Sequence, residues 1–492
     1  MGRLDDKFRA SLNLENIKKE FDFLKQKKTD IISGKVQIAR GCDKVGYEEF
    51  EENLRKHATI ICTKGCAGKY LFSPFREKET PKPPYGQHQL AEAKKNDKIR
   101  ILSISTIQDT LFQKLLADVL SGYAENIFAE KIDLHSYGYR EGKSSKMAVR
   151  KIRRHIDEGY LYVLDGDIKG FFDEINHALL TSKMQNFFGI ENELVQKFLY
   201  RFIHVDKIPV GKMKEYVYPS RCEKRLCGIP QGGVLSGLLA NVFLYDFDLY
   251  VVYELMPKYA FKYFRYADDF VLLFRDGKHI NEVHSLLKDF LEKEKLELHP
   301  IGEKTKRLDL SEGEKDTLDF LGFGISPRYL RVKKDNLKKF KDRIEKTLKD
   351  IEMETVNDLY FQRVVENINR KIVGLEDIIE SNDGLCPVCK CLIKKRSWLG
   401  YFMMTNDVRQ LRNIDTMIRN EIYRDYHRRT KKHLRKKELR GQTYGKLKSV
   451  VKTYYEYRKQ VLKHGKKGYC NCDRHFDPES CTIKVIADNF SN

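Results

Sequence analysis

Two adjacent carboxylates, Asp268 and Asp269, sit inside the otherwise apolar run YFRYADDFVLLF (263–274). An unpaired charge buried in such a run costs several kcal/mol, so something must neutralise the pair. A third acid, Asp167, ends the apolar stretch VLDGD, and a glycine-rich segment, GIPQGGVLSGLLANVFLYDFDLYV (228–251), lies between the two. Acidic oxygens in this number suit hard divalent cations, and Mg²⁺ keeps its remaining positions for water and phosphate oxygens. Two such ions roughly 3.5–4 Å apart can activate an attacking hydroxyl and stabilise a departing pyrophosphate. A lone pair of aspartates is weak support for this chemistry; the ordered set is much harder to obtain by chance.

The elements that must position these groups are legible in outline. YLYVLDGDIKGFFDEI (160–175) reads as a strand, a turn and a helix, and 263–274 reads as a hairpin with the aspartates at its tip. In STIQDTLFQKLLADVL, Leu111, Phe112, Leu115, Leu116, Val119 and Leu120 share one helical face, with Ser105 or Thr106 available as a cap. Val283, Leu286, Leu287, Phe290 and Leu291 repeat at helical spacing after the hairpin, and 228–251 reads as a loop entering a long apolar helix. Strands and helices mix without strict alternation, so an α+β core is expected.

The chain has 492 residues, which suggests roughly three domains or sub-domains. Its 41% hydrophobic content can fill their cores, which excludes wholesale disorder. The formal charge of +21 favours a polyanionic partner, most simply nucleic acid. Between Arg428 and Gly468 there are 16 lysines and arginines against two acids, Glu438 and Glu456, a density that suits a phosphate-backbone surface. No apolar run approaches the ~20 residues of a membrane span. The start, MGRLDDKFRA, lacks the apolar core of a secretory signal, so a cytoplasmic location is expected. Eleven scattered cysteines do not form a secreted disulfide framework.

Taken together, these segments resemble the reverse transcriptases, most closely the bacterial lineage encoded by group II introns and its free-standing relatives. YADD (266–269) resembles the family's active-site hairpin, GDIKGFFDEINHALL (166–180) its first carboxylate motif, and GIPQGGVLSGLLANVFL its template and nucleotide loop. KIRILSISTIQDTLFQ (98–113) and HSYGYREGKS (135–144) are similar to the upstream fingers motifs; EKT (303–305), LDFLGFGIS (318–326) and RSWLGYF (396–402) are similar to downstream ones. The resemblance runs in order from about residue 40 to about 430. It implies a right-hand polymerase with fingers, an antiparallel-sheet palm and a helical thumb. The expected divisions are an N-terminal helical extension at 1–40, fingers at 41–163, palm at 164–330 and thumb at 331–465. A cysteine-bearing insertion at 375–397 and a tail at 466–492 complete the chain.

The resemblance also assigns roles. Asp167 and Asp268 ligate two Mg²⁺ ions, with Asp269 supporting them electrostatically or as a weaker ligand. Lys98 and Arg100 clamp the triphosphate, and Phe172 stands where the family places its sugar gate, which implies a preference for deoxynucleotides; of Phe171 and Phe172, one is expected in the core. Gln231, Gly232 and Gly233 allow close backbone approach to template and nucleotide, and Lys304 is placed to protonate pyrophosphate. The sequence departs from the pattern at Gly237, where proline is common.

Cys386 and Cys389 form a CxxC, and Cys470 and Cys472 a CxC roughly eighty residues on, with Cys391, His475 and Cys481 besides; the spacing suits either a Zn²⁺ site or unligated thiols. The expected activity is RNA-directed DNA synthesis from dNTPs. The terminal cysteines lack a convincing endonuclease set, which favours a free-standing enzyme; by analogy with free-standing relatives, the intact upstream fingers segments and the basic, cysteine-bearing extension then suggest a structured noncoding RNA as template, in anti-phage defence. The alternatives are a maturase-type splicing cofactor and a template-independent nucleotidyltransferase. The tyrosines of TYYEYRKQ (453–460) either prime synthesis or pack, and the sequence leaves open whether a homo-oligomer forms.

Overall fold

The structure, a computed structural model, describes the chain except for residues 1–2, 30–35, 37–39, 83–84, 86–88, 216–221, 314, 353–354, 374, 377–393, 396–397, 444 and 457–492. Two units are resolved, the first made of Met1–Glu141 and Tyr162–Leu308, the second of Gly142–Leu161 and Asp309–Asn492.

Unit 1 is built on the strands β1 (Phe75–Pro81), β2 (Ile99–Ile104), β3 (Tyr162–Asp167), β4 (Lys207–Ile208), β5 (Lys262–Tyr266) and β6 (Asp269–Phe274), with β7 (Lys306–Asp309) ending it. One sheet has the order β5-β6-β3-β7 and the other β2-β1-β4. In the first, β6 pairs antiparallel with both β3 and β5. Phe270, Val271, Leu272, Leu273 and Phe274 are all buried, because both faces of this central strand are covered; that is why it reads as a continuous apolar run and not as an alternation. The helix Ile280–Lys293 covers the sheet with Ile280, Val283, Leu287 and Leu291, as its spacing predicts.

The helix Ile107–Lys131 begins at Thr106, whose hydroxyl accepts the Asp109 N–H at 3.0 Å, while Ser105 pairs with the Thr110 hydroxyl at 2.7 Å. The single long helix expected in 228–251 is segmented into Ser236–Phe243, Tyr245–Leu249 and a π-helical turn, Tyr250–Leu255, where Tyr250 stacks on Phe290 at 4.7 Å.

The first helix, Leu4–Ser11, is integral to unit 1. The Asp5 carboxylate accepts the backbone N–H groups of Leu194 (3.0 Å) and Val195 (2.9 Å), in the first turn of the helix Glu193–Ile203. Asn192, which precedes that helix, instead accepts the Leu4 N–H at 2.9 Å, so the two helix starts cap each other. Phe8 then seats between Phe112 and Phe198 with ring centroids at 5.5 and 5.8 Å. Asp5→Ala strands two donors, and a loss of about 1–3 kcal/mol is expected as a lower urea midpoint, with an unchanged midpoint counting against the cap.

Unit 2 carries the antiparallel sheet of β8 (Leu318–Phe320), β9 (Phe323–Ile325) and β10 (Leu330–Val332). Its longest helices are Lys334–Lys349, Asp358–Val373 and Val408–Thr430. The buried Asp425 accepts from the Tyr360 hydroxyl and from Arg429 Nε, both at 2.8 Å. Tyr454 is fully buried and donates to the Thr405 carbonyl at 2.7 Å, so this tail tyrosine is a packing residue. Cys386, Cys389, Cys470 and Cys472 lie outside the described residues. Among the described residues, no helix is long and apolar enough to cross a membrane.

Candidate active site

The site forms where β3 meets the β5–β6 hairpin. Antiparallel register places Asp167 directly opposite Asp269, and Gly166 opposite Phe270. Partners in such a ladder have Cα atoms about 4.5–5.5 Å apart with side chains on the same face. The glycine between Asp165 and Asp167 is required: a Cβ on Gly166 would come within 2.2 Å of the Phe270 ring.

Asp268 is raised on a two-residue turn, since Tyr266 and Asp269 still pair across it. Ala267 in that turn adopts φ 60°, a left-handed conformation that costs a non-glycine residue about 1 kcal/mol. Arg265 holds it there. This fully buried guanidinium donates to the Ala267 carbonyl at 2.8 Å, to Asn241 Oδ1 at 3.0 Å and, through Nε, to Asp248 Oδ1 at 2.7 Å. The Tyr263 hydroxyl also donates to Asp248, at 2.6 Å.

Asp167, Asp268 and Asp269 line one cavity of about 550 Å³ with Lys82, Arg100, Tyr139, Phe172, Gln231, Gly232 and Lys304. Loss of hydration, then Asp268, Asp167 and Asp165, push the Asp269 carboxyl up to about 7 against the pull of Arg100. Asp268 is raised by burial and then by Asp167. Burial, then the Asp268 charge, also raises the Tyr139 hydroxyl. Lys304 Nζ and His299 Nε2 each lie 3.3 Å from Asp167 Oδ2. Among the described residues, no three His, Cys, Asp or Glu side chains are already gathered closely enough to hold an ion. The donor set nevertheless fits hard cations: it is all carboxylate oxygen, lining one cavity, and its charges mutually disfavour ionisation, so added positive charge is stabilised there.

Most of the residues singled out from sequence meet here. Phe171 is buried in the core and Phe172 is partly buried against it, and both rings border the cavity. Gln231 donates to Asp173 Oδ2 at 3.0 Å across the cavity wall. A Cβ on Gly232 would meet the Ser103 carbonyl at 2.6 Å, and one on Gly233 the Phe202 ring at 2.7 Å, so both glycines are required by close packing within the protein. Lys98 is exposed and is not among the lining residues; Lys82, just beyond β1, is. Sequence reasoning missed Lys82, Asp165, Tyr139 and His299. Only Asp165 left a signal, its spacing of two from Asp167 on a strand.

Residues 92–325 match the family described as reverse transcriptase (RNA-dependent DNA polymerase). The group II intron-encoded protein LtrA of Lactococcus lactis subsp. cremoris is 33% identical over 161 residues, which cover 32% of this chain and 24% of that protein. Protein YkfC of Escherichia coli (strain K12) is 26% identical over 279 residues, covering 50% of this chain and 66% of its own length. The matches thus span less than two thirds of either relative. The solved structure of telomerase from Candida albicans with a fragment of telomeric RNA aligns at TM-score 0.40 and 14% identity, covering 90% of this chain and 71% of that one. Residues 92–325, just under half of the chain, thus match the reverse transcriptase (RNA-dependent DNA polymerase) family, in a domain similar to part of a group II intron-encoded protein and set on an α+β core.

Proposed function

We propose that the protein is an RNA-directed DNA polymerase that adds dNTPs to a primer 3′ end. The observation that carries this is the cross-strand register of Asp167 with Asp269, beside the raised Asp268, in a cavity that also holds Arg100 and Phe172. Mg²⁺ ions, when bound, supply Lewis-acid stabilisation of the attacking and leaving oxygens. Asp167 and Asp268 would hold them, and Asp269 adds negative potential. Arg100 and Lys82 face the same cavity with fixed positive charge, which suits a triphosphate. Lys304, whose Nζ lies 3.3 Å from Asp167 Oδ2, would give its proton to a pyrophosphate oxygen in this reading. The Phe172 ring excludes a ribose 2′-hydroxyl.

We read residues 41–163 as fingers, 164–330 as palm and 331–465 as thumb, with the basic stretch 428–468 gripping the nucleic-acid backbone. The template in this reading is a structured noncoding RNA and the setting anti-phage defence. Similarity to a group II intron-encoded protein favours a second reading, maturase activity. Sequencing of RNA that copurifies with the protein separates them: one recurrent noncoding transcript supports the first, intron RNA the second.

The direct test is extension of a DNA primer on a defined RNA template with Mg²⁺ and dNTPs. Product complementary to the template is expected; product independent of it would point to the template-independent reaction instead. In the same assay Phe172→Ala should lower discrimination against ribonucleotides by ~10-fold or more. Unchanged discrimination would remove Phe172 from the gate.

A further inference from the structure

We propose that Tyr139 is a substrate-binding residue of the nucleotide subsite, forming with Phe172 a two-ring corner that packs on the base and sugar of the incoming nucleotide. The inference rests on the polymerase reading and deepens it.

Tyr139 is a large aromatic with 55% of its surface exposed, on the wall of the cavity that holds the aspartates. Its ring meets Phe172 edge to face, with centroids 6.3 Å apart at 84°. Its backbone has φ 55°, a conformation that bulky residues rarely adopt, so the surrounding structure must impose it. That structure is on both sides. The Tyr137 N–H donates to the Arg265 carbonyl at 2.9 Å, and Asn241 Nδ2 to the Gly138 carbonyl at 2.8 Å. The buried Arg140, next in sequence, is fixed to Glu125 through Nε at 3.1 Å and to the Ser136 carbonyl at 3.0 Å. With its neighbours pinned, Tyr139 lays its ring over Gly237 and against Phe172, with the rest of it on the cavity wall.

Gly237 completes the device. A Cβ there would fall 2.5 Å from Tyr139 Cγ and 2.7 Å from its Cδ1, so any side chain at 237 displaces the ring. The departure noted in the sequence, glycine at 237, is therefore matched by the tyrosine that lies over it. Exposed aromatic faces held rigid are the usual platforms for bases, and they tolerate any base because each has a π face.

The test is single-nucleotide incorporation by the full chain on an RNA template and DNA primer, with primer–template affinity measured separately. Tyr139→Ala should raise KM for dNTP ~10-fold, a stacking-sized effect, with kcat changed less and primer–template Kd unchanged. Tyr139→Phe should stay near wild type. Gly237→Ala should raise KM similarly, and this effect should vanish in the Tyr139→Ala background, since the displaced ring is then absent. Thermal midpoints of all variants are recorded to exclude misfolding. An unchanged KM in Tyr139→Ala would overturn the proposal, as would a Gly237→Ala effect that persists undiminished in the double variant. Failure of the wild-type chain to add any templated dNTP is a separate result, and it would overturn the polymerase reading itself.

Discussion

Asp268→Asn is expected to lower RNA-templated dNTP incorporation by ~10³-fold or more, because on the proposed reading it removes a carboxylate that would hold a metal ion, and charge stabilisation of that kind is worth several kcal/mol in the transition state. Asparagine keeps the shape of the turn and one acceptor oxygen but removes the negative charge. The fold should not suffer. Burial and the neighbouring Asp167 already raise the Asp268 carboxyl, so its ionised form is disfavoured in the folded chain, and removing that charge should leave the thermal midpoint equal or higher. A dead but equally stable variant is thus the expected pair of results. Undiminished incorporation would refute the assignment of the site, and a dead variant with a much lower midpoint would leave misfolding as the cause.

Asp248→Ala should be the most damaging single change to unit 1. It strands the Arg265 guanidinium, fully buried and bonded to both Asp248 oxygens, and breaking such a pair costs about 3–5 kcal/mol. The expected readout is a large drop in the denaturant midpoint or loss of soluble protein. The double variant Asp248→Leu with Arg265→Met should recover most of that stability, because paired desolvated charges roughly break even against well-packed apolar groups. It should not recover activity. Without Arg265 the Ala267 carbonyl loses its donor and Asp268 its fixed perch, so incorporation should stay ~10–100-fold down, the usual cost of losing a group that orients a ligand. Full activity in the stable double variant would show that the turn needs no such anchor.

These two expectations mark where sequence reading succeeds and stops. Asp268 was legible because a charged pair inside an apolar hairpin contradicts its surroundings, and the contradiction names its own remedy. Asp167 was legible from its place at a strand end, and Thr106 from its place before an amphipathic run. Arg265 was not: nothing local says that a guanidinium in β5 is buried or that its partners sit on helices 17 and 24 residues upstream. Tyr139 was hidden for a related reason, since a left-handed tyrosine is imposed by tertiary contacts that no local propensity encodes. Lys98 and Lys82 show the limit within one sheet. They lie at opposite ends of the β1–β2 connection, where the Lys82 N–H donates to the Lys98 carbonyl at 2.7 Å, and only the path of that connection decides which side chain faces the cavity.

The mutual capping of Leu4–Ser11 and Glu193–Ile203 bears on how the protein can be handled. A shortened version beginning beyond Leu12 would bare the seat of Phe8 and leave Phe112 and Phe198 facing water. Such a protein should clump or be degraded, however intact its β5-β6-β3-β7 sheet. Affinity tags therefore belong ahead of Arg3 on a spacer, and a search for a minimal soluble version should trim elsewhere.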